Sequence, residues 1–96
     1  MIKVKYHRNF NNHILDLVDY IAKDSPNRAY KFYQDLQEKI DSIEMLYSYR
    51  KNRDLNRDDI RDLIFKGYVV PFRILDDSTI LILDIYKRNL WNKEIK

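Results

Sequence analysis

The sequence predicts an α+β domain, with two helices laid on one face of a small sheet. Three observations point to it. Apolar residues recur at helical spacing between Phe10 and Ile21, and again between Ala29 and Leu46. Three short β-prone runs, residues 60–65, 68–75 and 79–86, follow one another across tight turn residues. A further alternating run, residues 2–6, opens the chain.

In that opening run Ile2, Val4 and Tyr6 share one face and Lys3 and Lys5 the other, as in a half-buried strand. Phe10, Ile14, Leu17, Val18 and Ile21 then form the apolar stripe of a helix running from about His7 or Asn9 to Lys23. Ser25 is suited to cap a second helix, and Pro26 at its first position sacrifices no hydrogen bond. The second stripe runs through Ala29, Phe32, Tyr33, Leu36, Ile40 and Ile43 to Met45 or Leu46. So short a joint folds the two helices into an antiparallel hairpin. Residues 48–59 are polar and rich in Arg, Asn and Asp, and read as a loop.

The last three runs make an antiparallel meander. A two-residue turn at Lys66-Gly67 sets Phe65 opposite Tyr68 and Arg61 opposite Phe72. A turn at Asp77-Ser78 sets Phe72 opposite Leu83 and Ile74 opposite Leu81. In these registers Val70, Phe72, Ile74, Leu81, Leu83 and Ile85 face the helices, while Arg73, Asp84 and Tyr86 face away. A one-residue bulge would exchange the faces, and Pro71, which lacks a donor, marks a place for broken pairing.

At 96 residues and 45% hydrophobic content, residues 1–96 read as a single domain with one core. The absence of cysteine excludes disulfides and thiolate metal sites and fits a reducing compartment. The first residues lack the apolar stretch of a signal peptide, and the longest apolar run is far too short to span a bilayer. A cytoplasmic protein with no membrane association is the expectation. With Gly67 as the only glycine there is no glycine-rich phosphate loop. His7 and His13 do not share a helix face, so no metal site is expected.

Net charge is +3, and its placement says more than its size. Arg50, Lys51, Arg53, Arg57 and Arg61 crowd the middle; Lys87, Arg88, Lys93 and Lys96 crowd the end. Such clusters suit a polyanion or an acidic partner, and equally a solubilising surface. Arg73 stands in an apolar strand, where a guanidinium either grips an anion from a cleft or pairs internally, with Asp84 the nearest candidate. Arg61 poses the same question, with Asp62 and Asp59 as candidate partners. Tyr86, Lys87 and Arg88 bring a phenol, an ammonium and a guanidinium to one strand end, a set able to hold phosphate or simply to meet solvent. Trp91 serves either as a partner anchor or as a cover for the sheet edge.

The order strand, helical hairpin, basic loop and meander resembles the RelE/ParE superfamily of type II toxin-antitoxin toxins, also called plasmid stabilisation proteins. The resemblance covers nearly the whole chain. It is carried by Ser25-Pro26 with Ala29 and Phe32, by Ile60-Arg61-Asp62-Leu63, by Gly67-Tyr68 through Phe72-Arg73-Ile74, and by residues 80–85 followed by Lys87-Arg88. It implies a small twisted antiparallel sheet with the N-terminal helical hairpin packed on one face and a basic concavity on the other. It also implies a cognate antitoxin as partner and no cofactor.

Two activities occur in the superfamily, and fold alone does not choose between them. RelE-like members are ribosome-dependent endonucleases that cleave mRNA. For that activity the resemblance makes Arg61 and Arg88 the catalytic cations, with Tyr86 the nearby phenol. Leu63 and Val69 stand where such nucleases hold further cations, and the C-terminal catalytic tyrosine has no counterpart near Glu94. ParE-like members poison DNA gyrase and need no nuclease constellation. The Ser-Pro joint, the Arg61 motif and Arg73 after an aromatic resemble that branch, which is the favoured reading. Arg73, Lys87, Arg53 and Arg57 are then the residues expected to bind the target or its anionic groups. A RelE-like nuclease, or a non-toxic binding module of the same fold, are the alternatives.

Overall fold

The computed structural model describes residues 1–87. Strand β1 (Lys3–Tyr6) leads into α1 (Arg8–Asp24) and α2 (Pro26–Asp41). After a 3-10 turn at Leu46–Ser48 come β2 (Arg50–Lys51), β3 (Ile60–Phe65), β4 (Tyr68–Asp76), β5 (Thr79–Ile82) and β6 (Tyr86–Lys87). Among the described residues no helix is long and apolar enough to cross a membrane.

A single residue makes the hairpin joint. Ser25 ends α1 by donating its backbone N–H to the Ile21 carbonyl at 2.9 Å, and starts α2 by accepting from Arg28 N–H at 3.2 Å. Pro26 occupies the first turn of α2, where no intrahelical donor is needed. Tyr6 Oη meets Gln37 Oε1 at 3.4 Å, which sets the start of α1 beside the end of α2, as an antiparallel pair requires. The second helix stops earlier than its apolar stripe. Ser42 closes it through bonds to the Glu38 carbonyl, and Met45 turns left-handed (φ 54°) and lies exposed. That reversal lets Ile43 and Leu46 both reach the core.

The sheet is mixed, with strand order β1-β5-β4-β3-β2 and β6 beside the other end of β4. The meander is antiparallel, as its tight turns dictate. Strand β1 lies parallel to β5, so the expectation of an antiparallel sheet is corrected at this edge. The physical reason is connectivity. A whole helical hairpin lies between β1 and the meander, and such a crossover permits parallel pairing. A second correction concerns residues 48–59, where Arg50 and Lys51 pair with Asp62 and Arg61 as a short edge strand.

The turn at Lys66-Gly67 has positive φ at both positions (48° and 85°), and it gives the predicted pairs Phe65–Tyr68 and Arg61–Phe72. The next hairpin turns at Asp77-Ser78 as predicted, with Asp76 opposite Thr79. A bulge between Ile74 and Asp76 then shifts the register by one residue. Phe72 consequently meets Ile82, not Leu83, and Ile74 meets Ile80, not Leu81. Ile80 and Ile82 are fully buried while Leu81 and Leu83 are only half-buried. Ile85 is buried as expected.

Pro71 sits where its missing donor costs nothing. Its carbonyl accepts from Leu83 N–H at 2.8 Å, just where β5 has ended and β6 has not begun. The core lies between helices and sheet, with Phe32 against Phe65 at 5.3 Å between centroids and Tyr49 against Phe72 at 5.5 Å.

Candidate functional site

The face of the sheet turned away from the helices is only partly covered. Alternation along β3 and β4 puts Ile60, Asp62, Val69, Pro71 and Arg73 there. The loop of residues 52–59 folds over its middle. Asn52 fixes that loop: its Oδ1 accepts from Asp54 N–H at 3.1 Å and Leu55 N–H at 2.8 Å, closing an Asx-type turn. Its Nδ2 donates to Asp62 Oδ1 at 2.7 Å, while Arg50 donates to Asp62 Oδ2 at 2.8 Å. Asn52 and Asp62 are the buried polar side chains of the described residues, 1% and 3% exposed. A cleft of about 170 Å³ opens beside this loop, lined by His7, Asn9, Asn52, Leu55, Pro71, Leu83 and Asp84.

Three arginines brace the same loop in different ways. Arg61 lies on the helix-facing side, where Nε donates to the Asp58 carbonyl at 3.0 Å and one terminal nitrogen to Asp58 Oδ1 at 2.8 Å. Its other terminal nitrogen reaches the carbonyls of Tyr47 and Tyr49 at 3.1 and 3.0 Å, and its guanidinium lies 5.0 Å from the Tyr47 ring. With its side chain 12% exposed, Arg61 is a strut between the 3-10 turn and the loop. Arg57 and Arg73, by contrast, share one carboxylate. Arg57 grips Asp59 with two bonds of 3.0 and 2.8 Å, and Arg73 Nε adds a third at 3.2 Å. Desolvation pushes the Asp59 carboxyl up, but the bonds and charge of Arg57, followed by the bond from Arg73, outweigh it and hold the carboxyl below its ordinary range. Two guanidiniums against one carboxylate leave a surplus positive charge at the surface.

The model of the ParE toxin of the type II toxin-antitoxin system parDE matches residues 4–89 of this chain. The chain belongs to the ParE toxin family. Its fold is similar to that of a solved chain described as the chromosomal ParDE toxin-antitoxin system from P. aeruginosa. The two share 23% identity over 91% of this chain and 96% of that one, with a TM-score of 0.69. No sequence among curated proteins matches.

In this ParE toxin the residues singled out from the sequence fall in several places. Arg57 and Arg73 come together at Asp59. Arg53 is exposed on the same loop. Lys87 stands apart, its ammonium 5.8 Å from the Tyr68 ring. Arg88 and Trp91 lie outside the described residues. Arg73 pairs with Asp59 and not with Asp84, whose Oδ1 instead meets His13 Nδ1 at 2.5 Å. Asp62 is not the partner of Arg61, because adjacent strand residues point to opposite faces. The Asn52–Asp62 pair was not expected from the sequence; a carboxylate between Ile60 and Ile64 in a β-prone run was its one signal. Among the described residues no His, Asp and Glu cluster is arranged to hold a metal.

Tyr86 lies across from Val69, on the same side as Asn52 and Asp62. Burial above all pushes its phenol up to about 12. A hydrogen bond with Asn52 opposes this, and the carboxylates of Asp62 and Asp54 add to it. The folded state therefore keeps the phenol protonated where the unfolded chain ionises. Stability from this group is complete below about pH 10 and is lost as pH rises toward about 12. An ultraviolet tyrosine titration of the folded protein should show a late-ionising phenol that Tyr86→Phe removes.

Proposed function

We propose that the chain is a toxin that poisons DNA gyrase and is neutralised by a cognate antitoxin. Membership of the ParE family over residues 4–89 carries this reading. The geometry of the candidate nuclease residues supports it. Arg61 and Tyr86 lie on opposite faces of the sheet, so one phosphate cannot touch both. Four hydrogen bonds already occupy the Arg61 guanidinium, and arginine is a poor proton shuttle. A phenol pushed up to about 12 is equally unsuited to take a proton near neutrality. Arg57 and Arg73, with Arg53 on the same loop and Lys87 apart from them on β6, are the residues we assign to target binding.

Purified protein tested on gyrase supercoiling and DNA cleavage should trap cleaved DNA, while ribosome-bound mRNA stays intact. The double change Arg57→Ala/Arg73→Ala should weaken the gyrase effect about tenfold or more, as loss of charged contacts at an interface does. Codon-positioned mRNA cuts with gyrase untouched would reverse the assignment in favour of a RelE-like nuclease. Co-expression of the neighbouring antitoxin should restore growth and yield a complex stable to size exclusion.

A further inference from the structure

We infer that the exposed part of the open sheet face, formed by Lys3, Lys5 and Arg73 around Leu81, is a binding surface for the phosphate backbone of duplex DNA. The choice of DNA rests on the gyrase reading, since gyrase presents the toxin with DNA. The surface itself rests on register and charge. Lys5 pairs with Leu81 on one side and Arg73 pairs with Leu81 on the other, so the three form a row across β1, β5 and β4. Two strand spacings separate the outer cations by about 10 Å, and Lys3 lies about 7 Å along β1 from Lys5. Lys3 and Lys5 are exposed and have no ion pair among the described residues. Arg57 joins the row through Asp59, while Asp76, opposite Thr79, accepts from Ser78 N–H at 2.9 Å.

The helical hairpin and the rest of the described chain differ in the sign of their net charge. Residues 8–44, the hairpin side, carry five Lys and Arg against seven Asp and Glu. Residues 1–7 and 45–87, which build the sheet and its loop, carry ten against seven. The net negative charge of the hairpin segment disfavours a polyanion there. Only half-buried Leu81 and Thr79 lie between the cations, so no bulky side chain of β5 separates them from a duplex.

Fluorescence anisotropy with a short labelled duplex of mixed sequence tests this directly. Between about 50 and 200 mM salt the affinity should fall steeply, and Lys3→Gln/Lys5→Gln should flatten the slope by about 2. At the low-salt end the double variant should bind about tenfold more weakly. Lys23→Gln/Lys31→Gln on the hairpin should bind like the unmodified protein. The lysines at positions 3 and 5 are exposed and unpaired, so their loss should leave the urea midpoint unchanged. Absence of duplex binding at low salt overturns the inference, as does an equal loss in the hairpin variant. Tighter binding of single-stranded RNA than of duplex overturns the choice of DNA. Gyrase poisoning without duplex binding removes this inference and leaves the proposed function standing; duplex binding through Lys3 and Lys5 with gyrase untouched does the reverse.

Discussion

Replacing Asn52 by alanine should lower the stability of the domain by about 3 kcal/mol, because one side chain satisfies Asp62 and the N–H groups of Asp54 and Leu55 and also bonds Tyr86. The truncation removes a donor from the Asp62 carboxylate, which is 3% exposed, and an acceptor from the N–H groups of Asp54 and Leu55. Arg50 remains on Asp62, yet its side chain is 42% exposed and water competes for it. The loop that carries Arg53, Arg57 and Asp59 is hung on Asn52, so the proposed gyrase effect should fall with stability. Urea denaturation measures the loss. Arg53→Ala provides the comparison: it removes an exposed side chain of the same loop and should cost about 0.5 kcal/mol or less. The double change Asn52→Leu/Asp62→Leu should recover part of the loss, since a buried polar pair replaced by apolar groups is far less costly than a broken one. A cost for Asn52→Ala no greater than for Arg53→Ala would mean that the loop is held by something else.

The parts of the fold legible in the sequence were those set by local periodicity and turn chemistry. The two helical stripes, Ser25-Pro26 as a joint and both two-residue turns needed only residues within one or two helical turns of each other. The direction of β1 was not legible, because no turn connects it to its neighbour and the crossover permits either sense. The end of α2 was misplaced because the apolar spacing continues through Ile43 and Leu46 after the backbone has left the helix. Of the candidate site, Arg73 and Arg57 were recognisable as arginines in unusual company. The bond from Arg73 to Asp59 was not, since only the Ile60–Arg73 pairing brings these two residues together. The same holds for His13 and Asp84, which lie 71 residues apart and meet only through the fold.

The bulge after Ile74 has the sharpest consequence, and a pair of substitutions resolves it. Ile82→Ala should cost about 3 kcal/mol, within the range for deleting a fully buried aliphatic side chain, and Leu83→Ala about 1 kcal/mol or less. In a domain of this size each kcal/mol moves the melting midpoint by about 4 to 8 °C, so the two variants separate clearly in thermal denaturation. The unbulged register reverses the order, because it turns Leu83 and Leu81 to the helices and Ile82 and Ile80 to solvent. Strand β1 argues for the bulge independently. Its pairing sets Lys5 beside Leu81 and Tyr6 beside Ile82. If Leu81 pointed inward, Lys5 would be carried into the core, an ammonium with no partner there. With the bulge, Val4 and Tyr6 join Ile80 and Ile82 under the helices while Lys3, Lys5 and Arg73 stay together outside. The charged row on the open face therefore depends on one extra residue in β4. A larger loss for Leu83→Ala than for Ile82→Ala would dismantle that row along with the register.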